Sequence, residues 1–192
     1  PEPMTKADKV TMSRIFLAPV FFLLYTYPIL PTLATVVLLW VLFAVIEISD
    51  LVDGRIARSS NEVSSFGKLF DPFADVLARV TYFICFAAGG IMPLWILLVI
   101  LYREFGILFL RNLLSLKNIA MGARPGGKLK AGLYMVAGLI SLAYVSILRL
   151  QMGLVLVPVV KALVAVSYGL AVLMSVLSFA DYLVQYKKLS AS

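Results

Sequence analysis

Six long apolar runs constrain this chain more than any other feature. They fall roughly at residues 12–27, 32–57, 67–89, 92–114, 129–151 and 158–186. Each approaches or exceeds the roughly 20 apolar residues that cross about 30 Å of hydrocarbon as a helix. Pro28 and Pro31, Gly89, Gly90 and Pro93, and Gly153 and Pro158 punctuate the turns between runs. Hydrophobic residues make up 62% of the 192 and charged residues only 14%. Soluble domains hold roughly 45–50% and about 25%, and a globule of this size has no interior large enough to hide the excess. The expected fold class is all-α: a polytopic membrane protein with six transmembrane helices. Residues 1–10 read as an N-terminal cytoplasmic segment and 11–188 as one membrane domain. No cleavage site follows the first run and more spans do, so it reads as a span rather than a signal anchor. Pro1 to Pro3 precede a candidate initiator, Met4, and read as an expression scar.

Orientation follows from the links. Lys6, Lys9 and Arg14 open the chain, Arg58 and Lys68 sit in the second link, and Lys187 and Lys188 close it. Lys117, Arg124, Lys128 and Lys130 fill the 115–130 link, which is expected to be a loop or a short interfacial helix. The links near 28–31, 89–93 and 152–157 carry no charge. The basic side is cytoplasmic by the positive-inside rule, with both termini inside. Arg149 and Lys161 flank the last outer link and are expected to snorkel to the interface. The net charge of +7 is thereby explained by topology, and no nucleic-acid partner is expected. The chain has no histidine and a single cysteine, Cys85. His-based triads, His-ligated zinc, Cys-rich metal sites and an intrachain disulfide are therefore excluded.

Of the ten acidic residues, Glu47, Asp50, Asp53, Asp71, Asp75 and Glu104 are singled out inside or at the ends of apolar runs. A carboxylate there costs at least about 2.5 kcal/mol, which makes each a functional candidate. Asp50 and Asp53 share one helix face, as do Asp71 and Asp75. A short link makes the two helices antiparallel neighbours, with Asp53 level with Asp71 and Asp50 with Asp75. Four converging carboxylates need neutralising, and all-oxygen ligation suits Mg²⁺, Mn²⁺ or Ca²⁺ rather than zinc. Two such ions form a clamp for phosphoryl transfer. The bland alternative is helix-end carboxylates paired with Arg55, Arg58 and Lys68. Gly54, Ala57 and Gly67 permit close helix packing or leave room for a flat ligand beside the metals. Arg58 suits a forked grip on phosphate. The same level-matching, one turn deeper, predicts an intramembrane pair between Glu47 and Arg79, with Asp75 as the alternative partner for Arg79.

The run Asp50-x2-Asp53-Gly54-x2-Ala57-Arg58-x8-Gly67-x3-Asp71-x3-Asp75 resembles, at every defined position, the signature of the CDP-alcohol phosphotransferases. The six-helix layout extends the resemblance over nearly the whole chain. The resemblance implies a divalent-metal site, with two Mg²⁺ or Mn²⁺ ions expected, that holds the pyrophosphate of a CDP-activated donor. It implies Asp50, Asp53 and Asp71 as metal ligands and Asp75 beside the metals as candidate general base. It implies Gly54, Ala57, Arg58 and Gly67 as contacts to the CDP portion. A homodimer through membrane helices is also implied, at a cell (inner) membrane with the active site on the cytoplasmic side.

The acceptor is read from Arg103, Arg111 and Lys128. Arg103 and Arg111 are eight residues apart, about two helical turns, and point the same way. Arginines this deep require an anionic partner. Glu104 is one candidate, but adjacent helical residues do not face each other well. An acceptor phosphate is the alternative. Arg103-Glu104-Phe105 through Arg111 to Gly127-Lys128-Leu129-Lys130, with Thr11-x2-Arg14, resembles the family branch that joins CDP-diacylglycerol to sn-glycerol 3-phosphate, giving phosphatidylglycerol phosphate and CMP. Asp8 departs from that branch, which has asparagine there. Inositol phosphate and serine are the rival acceptors. Outside the enzyme class, a cation transporter lined by carboxylates competes. It would place charge near the midplane and show inverted repeats, whereas the aspartates cluster at one end and no repeat is visible. Gly122-x4-Gly127-Lys128 only approximates a P-loop, since Leu129 replaces the Ser or Thr and no strand precedes it.

Overall fold

A computed structural model describes residues 6–27, 29–60, 65–117, 119 and 125–190, and side chains for 8–27, 29–49, 52, 70–117, 119 and 126–190. Six α-helices account for most of it: α1 (Lys6–Thr26), α2 (Thr32–Ser60), α3 (Ser65–Ala88), α4 (Leu94–Ser115), α5 (Pro125–Leu150) and α6 (Val157–Ser190). A single 3₁₀ turn, Leu154–Leu156, precedes α6, and no strand occurs among the described residues. The helices follow from apolar runs that bury or expose side chains without alternation. Pro19 and Pro72 lie inside α1 and α3 without ending them. Membrane helices tolerate this because neighbours and local adjustments re-satisfy the freed backbone groups.

Four helices are long and apolar enough to cross a membrane by length and composition: Asp8–Thr26, Thr32–Ser49, Gly126–Leu150 and Leu154–Ser190. The other two have spanning length, with 24 and 22 residues, but carry charge in mid-run. On α3 these charges are Asp71, Asp75 and Arg79, and on α4 they are Arg103, Glu104 and Arg111. Composition alone therefore passes over the two helices that bear the most chemistry. Large apolar side chains such as Phe16, Leu98, Phe109, Val166 and Leu173 stand exposed. Exposure on this scale marks surfaces made for something other than water. The chain is a multi-pass membrane protein.

Two boundaries differ from the sequence expectation. The supposed N-terminal segment 1–10 is already helical from Lys6, and Asp8 and Thr11 are buried. The 115–130 link ends earlier than expected, because α5 starts at Pro125 and takes in Gly126, Gly127, Lys128 and Lys130. Proline suits the first position of a helix, where its missing N–H would have no partner anyway. Gly90 closes α3 at φ 71°, a conformation that favours glycine, and donates its N–H to the Ala87 carbonyl at 3.0 Å.

The chain divides into two compact units. One comprises the residues up to Cys85 with Leu148–Met152, and the other Phe86–Ile147 with the chain from Gly153 onward. In the first, α1 packs on α2. Ala18, Ile46 and Ala78 form a buried cluster, with Leu17 against it. The Tyr82 ring lies 5.2 Å from Phe43, 4.8 Å from Phe83 and 6.4 Å from Phe21, so α3 joins the same core. In the second unit α4 packs on α6. A Cβ on Gly106 would come within 3.0 Å of the Phe179 ring, so the glycine is what permits that approach. Polar pairs tie α5 to α6: Tyr134 with Ser175 at 2.5 Å and Ser141 with Tyr168 at 2.8 Å. Small and hydroxyl residues at such contacts are what membrane helices use to associate.

Candidate active site

The motif residues of the first pair lie on the last turns of α2, where Asp50, Asp53, Gly54, Ala57 and Arg58 continue the helix to Ser60. Their side chains, and that of Gly67 in the first turn of α3, fall outside the described residues. Asp71 and Asp75 are described, one turn apart on α3. Thr11 on α1 donates its hydroxyl to Asp71 Oδ1 at 2.8 Å. Arg14, three residues on, brings Nη1 within 3.7 Å of Asp75 Oδ1 and donates Nη2 to Thr11 at 3.5 Å. Arg79 holds Asp75 from the other side, with Nη1 3.0 Å from Oδ2. Arg14 is 1% exposed, whereas the Asp75 side chain keeps 27% of its surface open. The arrangement fixes the two carboxylates by buried side chains while both stay partly accessible.

The predicted Glu47–Arg79 pair is present, at 3.7 Å, together with the Arg79–Asp75 pair named as its alternative. Arg79 serves both carboxylates at once. Tyr82 donates its hydroxyl to the same Glu47 oxygen at 2.9 Å. These contacts set the register of α2 against α3. Asp50 lies three residues beyond Glu47 on α2, and Asp75 four residues before Arg79 on α3.

Among the described residues no group of three or more His, Cys, Asp or Glu side chains can hold a metal. Of the four aspartates, only Asp71 and Asp75 belong to that set. Their chemistry nevertheless fits a hard divalent ion, since both donors are carboxylate oxygens on one helix face.

The second unit holds the residues assigned to the acceptor. Arg103 is buried, and its Nη1 lies 3.2 and 3.1 Å from the two oxygens of Glu104. The objection that adjacent helical residues face apart therefore fails for this pair, because the guanidinium is long enough to turn back. Arg103 Nη2 donates to Ser178 at 2.7 Å, and Lys130 Nζ reaches Glu104 Oε1 at 2.6 Å. Arg111 Nη2 donates to the Tyr182 hydroxyl at 3.2 Å. The guanidiniums of Arg103 and Arg111 each lie 5.7 Å from the Tyr182 ring centroid, so the two do share a face. Lys128 stands exposed in the first turn of α5, and Lys130 is the lysine engaged with the cluster. A Cβ on Gly127 would sit 3.3 Å from the Tyr182 hydroxyl and 3.9 Å from Arg103 Nη2. The glycine thus brings the N-terminus of α5 against both arginine partners.

The sequence pattern passed over Lys130, Ser178 and Tyr182, and it used Thr11 and Arg14 only as marks of resemblance. Two signals were available. Thr11 and Arg14 are three apart, and Ser178 and Tyr182 four apart, the spacings of one helix face.

The profile of the CDP-alcohol phosphatidyltransferases matches residues 4–172. The chain belongs to this family. A Treponema pallidum CDP-diacylglycerol--glycerol-3-phosphate 3-phosphatidyltransferase is 42% identical over 143 residues, 74% of this chain and 66% of that protein. The enzyme of the same name from Bacillus subtilis is 32% identical, over 68% of this chain and 72% of its own length. A probable phosphatidylglycerophosphate synthase of Mycobacterium tuberculosis is 34% identical over 68% of this chain and 62% of its own. The family match takes in Thr11, Arg14 and all four aspartates, and also the α4–α6 cluster as far as Tyr168 and Ala171. Ser178 and Tyr182 lie beyond it.

Proposed function

We propose that the protein transfers a phosphatidyl group from CDP-diacylglycerol to sn-glycerol 3-phosphate, giving phosphatidylglycerol phosphate and CMP. The observation that carries this reading is the α1–α3 constellation. Asp71 and Asp75 are anchored by Thr11, Arg14 and Arg79, yet Asp75 remains partly open. The names of the relatives support the choice of substrates.

In this reading Asp50, Asp53, Asp71 and Asp75 hold divalent ions, Mg²⁺ or Mn²⁺. Bound there, the ions would neutralise the donor pyrophosphate and the charge that develops at phosphorus. Gly54, Ala57, Arg58 and Gly67 contact the CDP portion. Asp75 takes the proton from the acceptor hydroxyl, while Arg14 and Arg79 fix its carboxylate. Preset orientation is most of what phosphoryl transfer asks of a protein. Arg103, Arg111 and Lys128 draw the acceptor phosphate to the start of α5. That helix N-terminus favours an anion, and Gly127 lets one approach the backbone closely. Glu104 holds Arg103 in place for this task. The site faces the cytoplasm of the cell membrane, and the protein works as a homodimer.

An acceptor panel tests the proposal. Purified protein with CDP-diacylglycerol and Mg²⁺ or Mn²⁺ is expected to release CMP with sn-glycerol 3-phosphate and little with serine or inositol phosphate. Efficient turnover with serine would leave only the family-level reaction standing.

A further inference from the structure

A second polar cavity lies at the other end of the first unit. Tyr25 is fourteen residues beyond Thr11 on α1, about 21 Å along the helix, so this cavity is remote from Asp71 and Asp75. Its volume is about 350 Å³, and Tyr25, Thr26, Thr32, Thr35 and Arg149 line it. That is within the roughly 300–1,000 Å³ of small-ligand pockets.

Arg149, expected to snorkel to the outer interface, turns onto the last turn of α1. Its Nη2 donates to the Tyr25 carbonyl at 2.6 Å, and its guanidinium lies 4.6 Å from the Tyr25 ring centroid. Its Nη1 is buried and has no hydrogen-bond partner among the described residues. Arg14, Arg79 and Arg103 each meet a carboxylate within 4 Å, but Arg149 meets none among the described residues. Thr35 donates to the Leu30 carbonyl at 3.1 Å. Thr26 and Thr32 make no side-chain hydrogen bond among the described residues. The cavity therefore presents donors, one of them cationic, and no carboxylate. Thr32 is also the first residue of α2, whose N-terminus adds to the preference for an anion.

We infer that this cavity binds a phosphate group, with Arg149 Nη1 and the Thr26 and Thr32 hydroxyls as donors. The guanidinium is preset by its carbonyl bond and by the Tyr25 ring, which suits a planar grip on phosphate oxygens. Tyr27, Ile29 and Leu33, neighbours in sequence of Thr26 and Thr32, are exposed and apolar enough to meet lipid. A phospholipid headgroup and free phosphate share the chemistry recognised, and the experiment separates them.

Full-length protein in phosphatidylcholine nanodiscs, with or without phosphatidylglycerol, is analysed by native mass spectrometry. The wild type is expected to retain one more anionic phospholipid per chain than Arg149→Gln. Lys161→Gln, which removes an exposed charge, is expected to match the wild type. In lipid-poor detergent, inorganic phosphate is titrated against melting temperature. A phosphate-dependent rise that Arg149→Gln diminishes assigns the site to the free ion, and a difference in lipid retention alone assigns it to the headgroup. Equal retention and equal phosphate response in folded Arg149→Gln overturn the inference. Should that variant not fold, the double variant Thr26→Val, Thr32→Val, at two exposed positions, decides. It is expected to lose the same lipid or phosphate response, and unchanged behaviour overturns the site. CMP release plays no part in the readout, so the outcome is independent of the proposed activity.

Discussion

The cluster on α1–α3 and the cluster on α4–α6 bury the same kinds of side chain and differ in sign. In the first, the carboxylates Glu47, Asp71 and Asp75 outnumber Arg14 and Arg79 among the described side chains. In the second, Arg103 and Lys130 converge on the single carboxylate of Glu104, with Arg111 beside Tyr182. Buried charge persists only when it is paired, so an excess of one sign leaves room for a ligand of the other. The acidic excess suits cations and the basic excess suits phosphate. A phosphatidyltransferase with a phosphorylated acceptor needs both. The arginines also behave differently in the two places. Arg79 meets two acids, whereas Arg103 and Lys130 share the carboxylate of Glu104.

The strongest way to break the comparison is to remove the acidic side. Excess EDTA is expected to abolish CMP release, and Mg²⁺ or Mn²⁺ to restore it. Asp71→Asn is expected to cut turnover about a thousandfold, the scale of losing a principal charge-stabilising group. Melting temperature measured alongside separates the roles. A large fall in stability with turnover per folded molecule intact would make the acidic cluster structural.

Next comes the asymmetry in pairing. Glu104→Gln strands Arg103 and Lys130 together, and removing one partner of a buried pair costs about 3–5 kcal/mol. Adding Lys130→Met is expected to recover part of that loss. Glu47→Gln is expected to cost less, because Arg79 keeps Asp75 at 3.0 Å and the amide oxygen still accepts from Tyr82. Denaturation of the three variants checks the order. Equal losses for Glu104→Gln and Glu47→Gln would show that the number of partners does not matter here.

Much of this was legible in the residues. The apolar runs gave six helices near their observed places, and level-matching across a short link gave the Glu47–Arg79 contact. Both depend on periodicity and on the price of unpaired charge in lipid, which a sequence displays. The failures have equally physical causes. Pro125 and the glycines after it read as a loop or a short interfacial helix, yet they open α5 itself, because proline begins a helix readily and Gly126 and Gly127 let α5 pack against Ser178 and Tyr182. Spacing alone does not separate Lys128, read for the acceptor, from Lys130, which meets Glu104. Only the fold shows which lysine meets Glu104. Ser178 and Tyr182 belong to an apolar run charged only at Lys161 and Asp181, and their role comes from a partner helix seventy residues away in sequence.

The smallest effect sharpens the basic side of the comparison. Arg111 and Lys128 are both proposed for the acceptor phosphate, but they stand in different surroundings. Arg111 donates to Tyr182, lies over its ring, and has a buried Nε without a hydrogen-bond partner among the described residues. Its charge acts where little water intervenes. Lys128 is exposed, so solvent and salt screen it and its flexible stem loses freedom on gripping a ligand. Arg111→Gln is therefore expected to raise the KM for sn-glycerol 3-phosphate about tenfold, with the KM for CDP-diacylglycerol little changed. Lys128→Gln is expected to raise it only about twofold, and that rise should vanish in high salt while the Arg111 effect persists. Acceptor kinetics at low and high ionic strength make the measurement. If Lys128→Gln proves as damaging as Arg111→Gln and equally indifferent to salt, the lysine closes over bound acceptor, and the pocket with substrate differs from the one described here.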